Sequence, residues 1–316
     1  MFSLFKKSLS SFVQQQHLLS ESELHKLRIL SEQVDCSQSS NFNLESRQSG
    51  NLATRALGSG IDYAESRVYQ PGDDPRSINW RVSARSQDTF TKTYHIESRP
   101  SLCILLDKRR SMLFGTHSRL KVTQALRTAM VLAYAAELHH LDFQAWIIED
   151  KLGLQHYDDI NVFINDANKL QHSNQPNTLK PINNLAFTNA LQTINHSSQK
   201  GSLVYLISDF SDLDNTHQTE LAHLHERCFI QSYHLYDQAE LTLPNAGRIK
   251  LQALHDATCF HINTQKSKEK IAFEKITSEH FKNIESIITN LGIPYAKLAT
   301  DNDNIQQTIT LPIGQP

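Results

Sequence analysis

The chain has 316 residues, enough for one α/β domain of about 200 residues with one or two smaller pieces. Lys and Arg number 31 against 33 for Asp and Glu, and the net charge of -2 gives no global attraction to nucleic acid or an anionic membrane. Cys36, Cys103, Cys228 and Cys259 form no Cys-x-x-Cys pair, which argues against a zinc site or a disulfide framework and for reduced thiols.

Near the N-terminus Leu4, Phe5, Leu9, Phe12 and Val13 are interrupted by polar residues and never reach the roughly 18 apolar residues of a membrane span. A soluble cytoplasmic protein without a signal peptide is expected. Residues 18–34 read as a short helix, with Ser20 and Glu23 at capping-box spacing and an apolar stripe of Leu24, Leu27, Ile29 and Leu30. The polar stretch 37–50 reads as a linker, so residues 1–45 are expected to be a helical appendage and linker.

Residues 46–100 mix Gly58, Gly60, Pro71 and Gly72 with short alternating runs such as 63–69, and predict a small β-rich module. From Ser101 the pattern changes. Leu102 to Leu106 form an unbroken apolar run ending in Asp107, as in a strand buried on both faces. A helix over about 118–140, a strand at 143–149, helices near 158–170 and 188–197, and a second buried strand at 203–207 follow. A helix at 214–227, a strand at 228–235, a hairpin across 247–263, a helix at 268–291 and a strand at 294–299 complete the domain at 101–300, leaving 301–316 as a tail. Strands alternating with helices predict a mostly parallel sheet of about six strands with helices on both faces.

In such sheets ligands sit beyond the carboxyl ends of the strands. Asp107 leads into Lys108, Arg109, Arg110 and Ser111; Asp209 opens Phe210, Ser211 and Asp212; Thr188 lies between them at a predicted helix start. An Asp-x-x-x-Ser loop, a Thr and a later Asp form the skeleton of a metal-ion-dependent adhesion site, whose hard oxygen ligands suit magnesium. Asp107, Ser111, Thr188 and Asp209 would be the metal ligands if the site were filled by weakly bound Mg2+ or Mn2+.

The stretch from Tyr69 through Gly72, Asp73, Asp74, Arg76 and Trp80 to Arg85 resembles the signature of the bacterial family catalogued as domain of unknown function 58. Ser208-Asp209-Phe210 and the run from Asp237 through Glu240, Leu243 and Pro244 to Gly247 are also similar to that family. The resemblance implies a von Willebrand factor A-like second half. It also implies a working association with a MoxR-type AAA+ ATPase, in protein or metalloenzyme maturation.

One position departs from the adhesion-site pattern Asp-x-Ser-x-Ser: Arg109 stands where a ligating hydroxyl is expected. Arg is effectively always protonated and carries five donors. Either Arg109 folds between Asp107 and Asp209 and replaces the cation, or it turns to solvent beside a weakened magnesium site.

Several plainer readings stand beside these. Pro-Gly-Asp-Asp is ordinary turn chemistry, the dense charges of the module can pair across short strands, and Trp80 is expected to serve as a core anchor. His139, His140, His217, His223 and His225 lack zinc spacing and read as solvated or rim residues. The absence of Gly-x-x-x-x-Gly-Lys-Ser/Thr, Gly-x-Ser-x-Gly and His-Glu-x-x-His leaves one enzyme reading, a metal-dependent hydrolase using Asp107, Asp209 and Asp212. A nucleic-acid face built from Arg76, Arg81, Arg85 and Lys92 with Trp80, Phe90 and Tyr94 is opposed by Glu65, Asp73, Asp74 and Asp88. The expectation is therefore a non-enzymatic protein-binding adaptor, without nucleic acid as partner.

Overall fold

The computed structural model describes residues 17–34, 57–58, 62–70, 73–86, 88–95, 101–150, 152–169, 185–252 and 259–311. Gly72, Cys36, the apolar residues near the N-terminus and the expected linker lie outside them. The chain divides into two compact units, Asn43–Arg99 and the remainder, Met1–Phe42 with Pro100–Pro316.

The larger unit begins with helix α1 (Glu21–Ser31), capped by the Ser20 side chain on the Glu23 amide. The smaller unit is an antiparallel sheet of β1 (Leu57–Gly58), β2 (Asp62–Val68) and β3 (Phe90–His95), with β3 in the middle. Between β2 and β3 a 3-10 turn, Pro75–Ser77, is capped by Asp74, and a short helix α2 (Trp80–Ser83) is capped by Asn79. Asn79 is buried, donates to Ser66 Oγ at 2.8 Å, and its amide bonds the Phe90 carbonyl at 2.7 Å. These polar anchors hold one side of α2 and turn Trp80 outward, 69% exposed. The expectation of a core role for Trp80 is thereby corrected.

The larger unit is organised by a six-stranded sheet. Its strands are β4 (Ser101–Asp107), β5 (Asp142–Glu149), β6 (Gly153–Tyr157), β7 (Leu203–Ser208), β8 (Phe229–Tyr236) and, after a β9 (Arg248–Gln252)–β10 (Cys259–Asn263) hairpin, β11 (Tyr295–Ala299). The spatial order is β6-β5-β4-β7-β8-β11, with every pair parallel except β5–β6. In order of appearance this is 3-2-1-4-5-6, the doubly wound arrangement whose direction reverses between its first and fourth strands, here β4 and β7.

β4 is buried along its whole length because both faces are covered. Leu102, Ile104 and Leu106 point into a core shared with α3 (Lys121–Leu138), while Cys103 and Leu105 point into a second core. That second core takes in α5 (Leu185–Ser197), α6 (Gln218–Arg227) and the last turns of α8 (Ser267–Thr289). Helix α4 (Ile160–Asn168) packs beside α3, and a four-residue α7 (Gln238–Leu241) follows β8.

Helix α1 is integral to this unit rather than an appendage. Residues 121–133 of α3 are all buried, and a helix buried on every side needs a second layer beyond the sheet. That layer includes α1, with Leu27 fully buried, Glu23 paired with Arg127 at 3.1 Å and Arg28 with Glu137 at 3.1 Å. The expected tail is corrected in the same way: Ile305, Ile309 and Leu311 complete the core on that face, and Tyr205 donates to the Thr310 carbonyl at 2.8 Å.

Candidate functional site

Parallel register brings the carboxyl ends of β4, β7 and β8 to one rim: Leu106 lies opposite Ile207, and Ser208 opposite His234. Asp107, Asp209 and Asp237 are the residues at or just past those ends. All three are buried, so each must find partners within the fold.

Asp107 is satisfied by its own loop and by the end of β7. Its Oδ1 accepts from the Arg109 amide and Nε, both at 3.0 Å. Its Oδ2 accepts from an Arg109 terminal nitrogen at 2.7 Å and from Ser208 Oγ at 2.7 Å. Four donors fill the capacity of one carboxylate. The other edge of the Arg109 guanidinium grips Asp212 in a fork, at 2.5 and 2.9 Å, and its face lies 5.9 Å from the centre of the Phe187 ring. Arg109 is only 1% exposed, and the two carboxylates outweigh burial to hold its proton more tightly than in water.

Arg109 thus fills the position of an internal cation, but between Asp107 and Asp212 rather than between Asp107 and Asp209. Asp209 has a different counter-ion: Lys121 Nζ at 2.8 Å, with Ser111 Oγ donating at 3.2 Å and the Ser211 amide at 3.2 Å. Burial alone would raise the Asp209 carboxyl; Lys121 overrides it and holds the group down at about 2. Lys121 also reaches Glu240 at 2.7 Å, and these two acids raise its pKa against the opposing effect of burial. Glu240, 27% exposed at its side chain, is raised by burial.

Lys121 is the functional residue that the sequence reading missed. It opens α3 without a side-chain cap and with no acid in the first turn, where the helix dipole disfavours a cation. A lysine at the first position of a long helix, where the dipole disfavours a cation, was the available signal that carboxylates stand opposite it.

Asp237 ties three loops together. It accepts from the Thr116 amide and hydroxyl at 2.9 and 2.5 Å, from the Ala239 amide at 3.0 Å and from Thr300 Oγ1 at 2.9 Å. Burial would raise this carboxyl, but the Thr116 donors dominate and it lies below the ordinary range. Phe210, beside Asp209, takes a left-handed backbone (φ 49), held by ring contacts with Phe187 and His234.

Thr188 does not join the carboxylates through any described hydrogen bond; its hydroxyl pairs with His217 Nε2 at 3.1 Å. His217 is itself buried, which corrects its reading as a solvated or rim residue; Asp214 flanks it at 3.0 Å. His139, His140 and His223 are exposed. In the smaller unit Arg67 pairs with Asp73 at 2.6 Å, and Asp74 caps the 3-10 turn, while Arg76 and Arg85 are exposed and Tyr69 is half-buried.

A divalent ion does not fit the donor set as folded. Asp107 has no lone pair to spare, Asp209 faces an ammonium, and Thr188 is turned to His217. Among the described residues no group of three or more His, Cys, Asp or Glu is arranged to hold a metal. None of the described helices is long and apolar enough to cross a membrane.

Comparison with known proteins shows the family without an assigned activity. A family model described as "Protein of unknown function DUF58" matches residues 65–283. Uncharacterized proteins from Mycobacterium bovis and Mycobacterium tuberculosis are 22% identical over 255 residues, covering 78% of this chain and 77% of theirs. Among solved structures, the conserved hypothetical protein BatB from Bacteroides thetaiotaomicron aligns with a TM-score of 0.40 at 12% identity, over 67% of this chain and 96% of its own. An aerotolerance-related membrane protein from Bacteroides fragilis aligns with a TM-score of 0.37 at 14% identity, over 66% and 96%.

Proposed function

We propose, from the premise that this chain belongs to the DUF58 family, that it is a non-enzymatic adaptor whose strand-end rim docks a protein partner. The observation that carries this reading is the pair of internal cations, Arg109 and Lys121, in the place where an adhesion site would hold its metal. A von Willebrand factor A-like ancestry is supported by the 3-2-1-4-5-6 order with an antiparallel third strand. In this reading the domain retains the adhesion rim and has internalised its charge.

The rim then offers shape and polarity instead of an open coordination position. Loops after β4, β7, β8 and β11 are cross-tied through Arg109, Lys121 and Asp237, so they are presented with little ordering cost on binding. The partner is a MoxR-type AAA+ ATPase or its client, met in the cytoplasm. The hydrolase reading gains nothing from this geometry, because Asp107 is filled by four donors and Asp209 and Asp212 each face a buried cation where an ion or an activated water would have to sit.

Ser118 and Asn215 are exposed on the loops after β4 and β7, clear of the buried ion pairs. The chain purified from its native host is expected to bring the ATPase with it, and the double substitution Ser118→Arg, Asn215→Arg to reduce recovery about tenfold or more. Equal recovery with the double variant, or no ATPase with the wild type, would overturn the reading.

A further inference from the structure

The smaller unit carries a surface that the rim does not explain. Helix α2 is fixed on one side only. The Phe90 amide donates to Ser83 Oγ at 2.8 Å, the Asn79 amide donates to the Phe90 carbonyl at 2.7 Å, and Ile78 bridges Thr91. The opposite side presents Trp80, Arg81, Ala84 and Arg85, all exposed, with Arg76 exposed on the preceding turn. Trp80 and Arg81 open this four-residue helix, and Ala84 and Arg85 follow directly on its last residue, Ser83, so the four exposed side chains are gathered within six consecutive residues.

Two properties set this face apart from a solvated charged surface. An indole is a large apolar group that proteins rarely leave in water, and Trp80 is 69% exposed. The cations beside it are unpaired: among the described residues of this unit the one ion pair is Arg67–Asp73, and Asp74 is spent on the turn. Trp and Arg are the residues most enriched where binding energy concentrates, and a face locked to its strand loses little freedom when it binds.

We infer that Trp80, Arg81 and Arg85, with Arg76 at the edge, form a second docking surface for an acidic segment of a protein, whose carboxylates pair with the arginines while an apolar side chain covers the indole. Charge complementarity selects this occupant. Three exposed guanidiniums attract anions, and Arg pairs with carboxylates in a planar fork. A nucleic acid would also supply anions. The chain's net charge of -2, however, offers a polyanion no footprint wider than these few residues. The inference does not rest on the rim reading, and each can fail alone.

The two tryptophans make the test selective. Trp146 is 1% exposed, so iodide quenches Trp80 and leaves Trp146 dark to it. The full chain is titrated with a short labelled peptide alternating Glu with Leu and Phe, with the same peptide carrying Gln for Glu, and with single-stranded oligo-dT. The acidic peptide is expected to bind about tenfold or more tightly than its Gln counterpart and to shield Trp80 from iodide. Arg81→Glu with Arg85→Glu is expected to abolish that preference, and Trp80→Ala to weaken binding about tenfold, with thermal unfolding unchanged for both because the side chains are exposed. Equal binding of the two peptides, an unshielded Trp80, undiminished binding by the charge-reversed chain, or tighter binding of oligo-dT would each overturn the inference.

Discussion

Arg109 is where a single side chain decides the chemistry of the rim. Deleting it with Arg109→Ala leaves Asp107 and Asp212 facing each other as buried, unpaired carboxylates, a change that costs about 3–5 kcal/mol. Chemical denaturation would register that loss; a cost below about 1 kcal/mol would show the pair to be dispensable. Arg109→Ser recreates the spacing Asp107-x-Ser-x-Ser111 and removes the guanidinium, so calorimetry should detect manganese or magnesium binding stronger than in the parent chain. No gain of binding would mean that Lys121 alone keeps the site closed. Asp107 and Asp209 were legible in the sequence because each ends or follows a buried apolar strand, whereas Glu240, which lies in α7, was not. Lys121 was not, because 13 residues separate it from Asp107 in the chain, and the contact that explains it comes from Asp209, just past the end of β7.

At the level of elements, the apolar runs of β4 and β7 and the long periodic helices emerged directly from pattern. What escaped was whatever depends on a neighbour. β6 is a short edge strand, Gly-Leu-Gln-His-Tyr, with no alternation of its own and a place defined by pairing with β5. Helix α1 looked peripheral because its need for burial is matched by α3, more than ninety positions later. Leu27 reports that contact: Leu27→Ala removes a fully buried side chain and should cost about 2–5 kcal/mol in denaturant unfolding. A cost within about 0.5 kcal/mol, as for a surface change, would return the helix to the status of an appendage.

For the molecule as a whole, the buried titratable groups imply a stability that depends on pH in two steps. His234 is enclosed by Phe210, Phe281 and Tyr295, and burial lowers it to about 3. The unfolded chain takes up that proton below about pH 6.5 while the folded chain does not. Stability therefore falls on acidification through the window from about 6.5 to about 3, by about 1.4 kcal/mol per pH unit from this group. Asp209 adds a second loss: its folded value of about 2 lies below the unfolded one, so its contribution is present above about pH 4 and disappears between about 4 and 2. Glu240, raised by burial, works in the opposite sense. Thermal unfolding followed from pH 8 to pH 4 should show the decline beginning near neutrality, and His234→Gln should flatten that upper portion; an unchanged slope would clear His234 of the effect. The counter-ions of the rim, meanwhile, are sewn into the polypeptide. A chelator has nothing to strip from Arg109 or Lys121, so the positive charge set against the strand-end acids is written into the chain at translation.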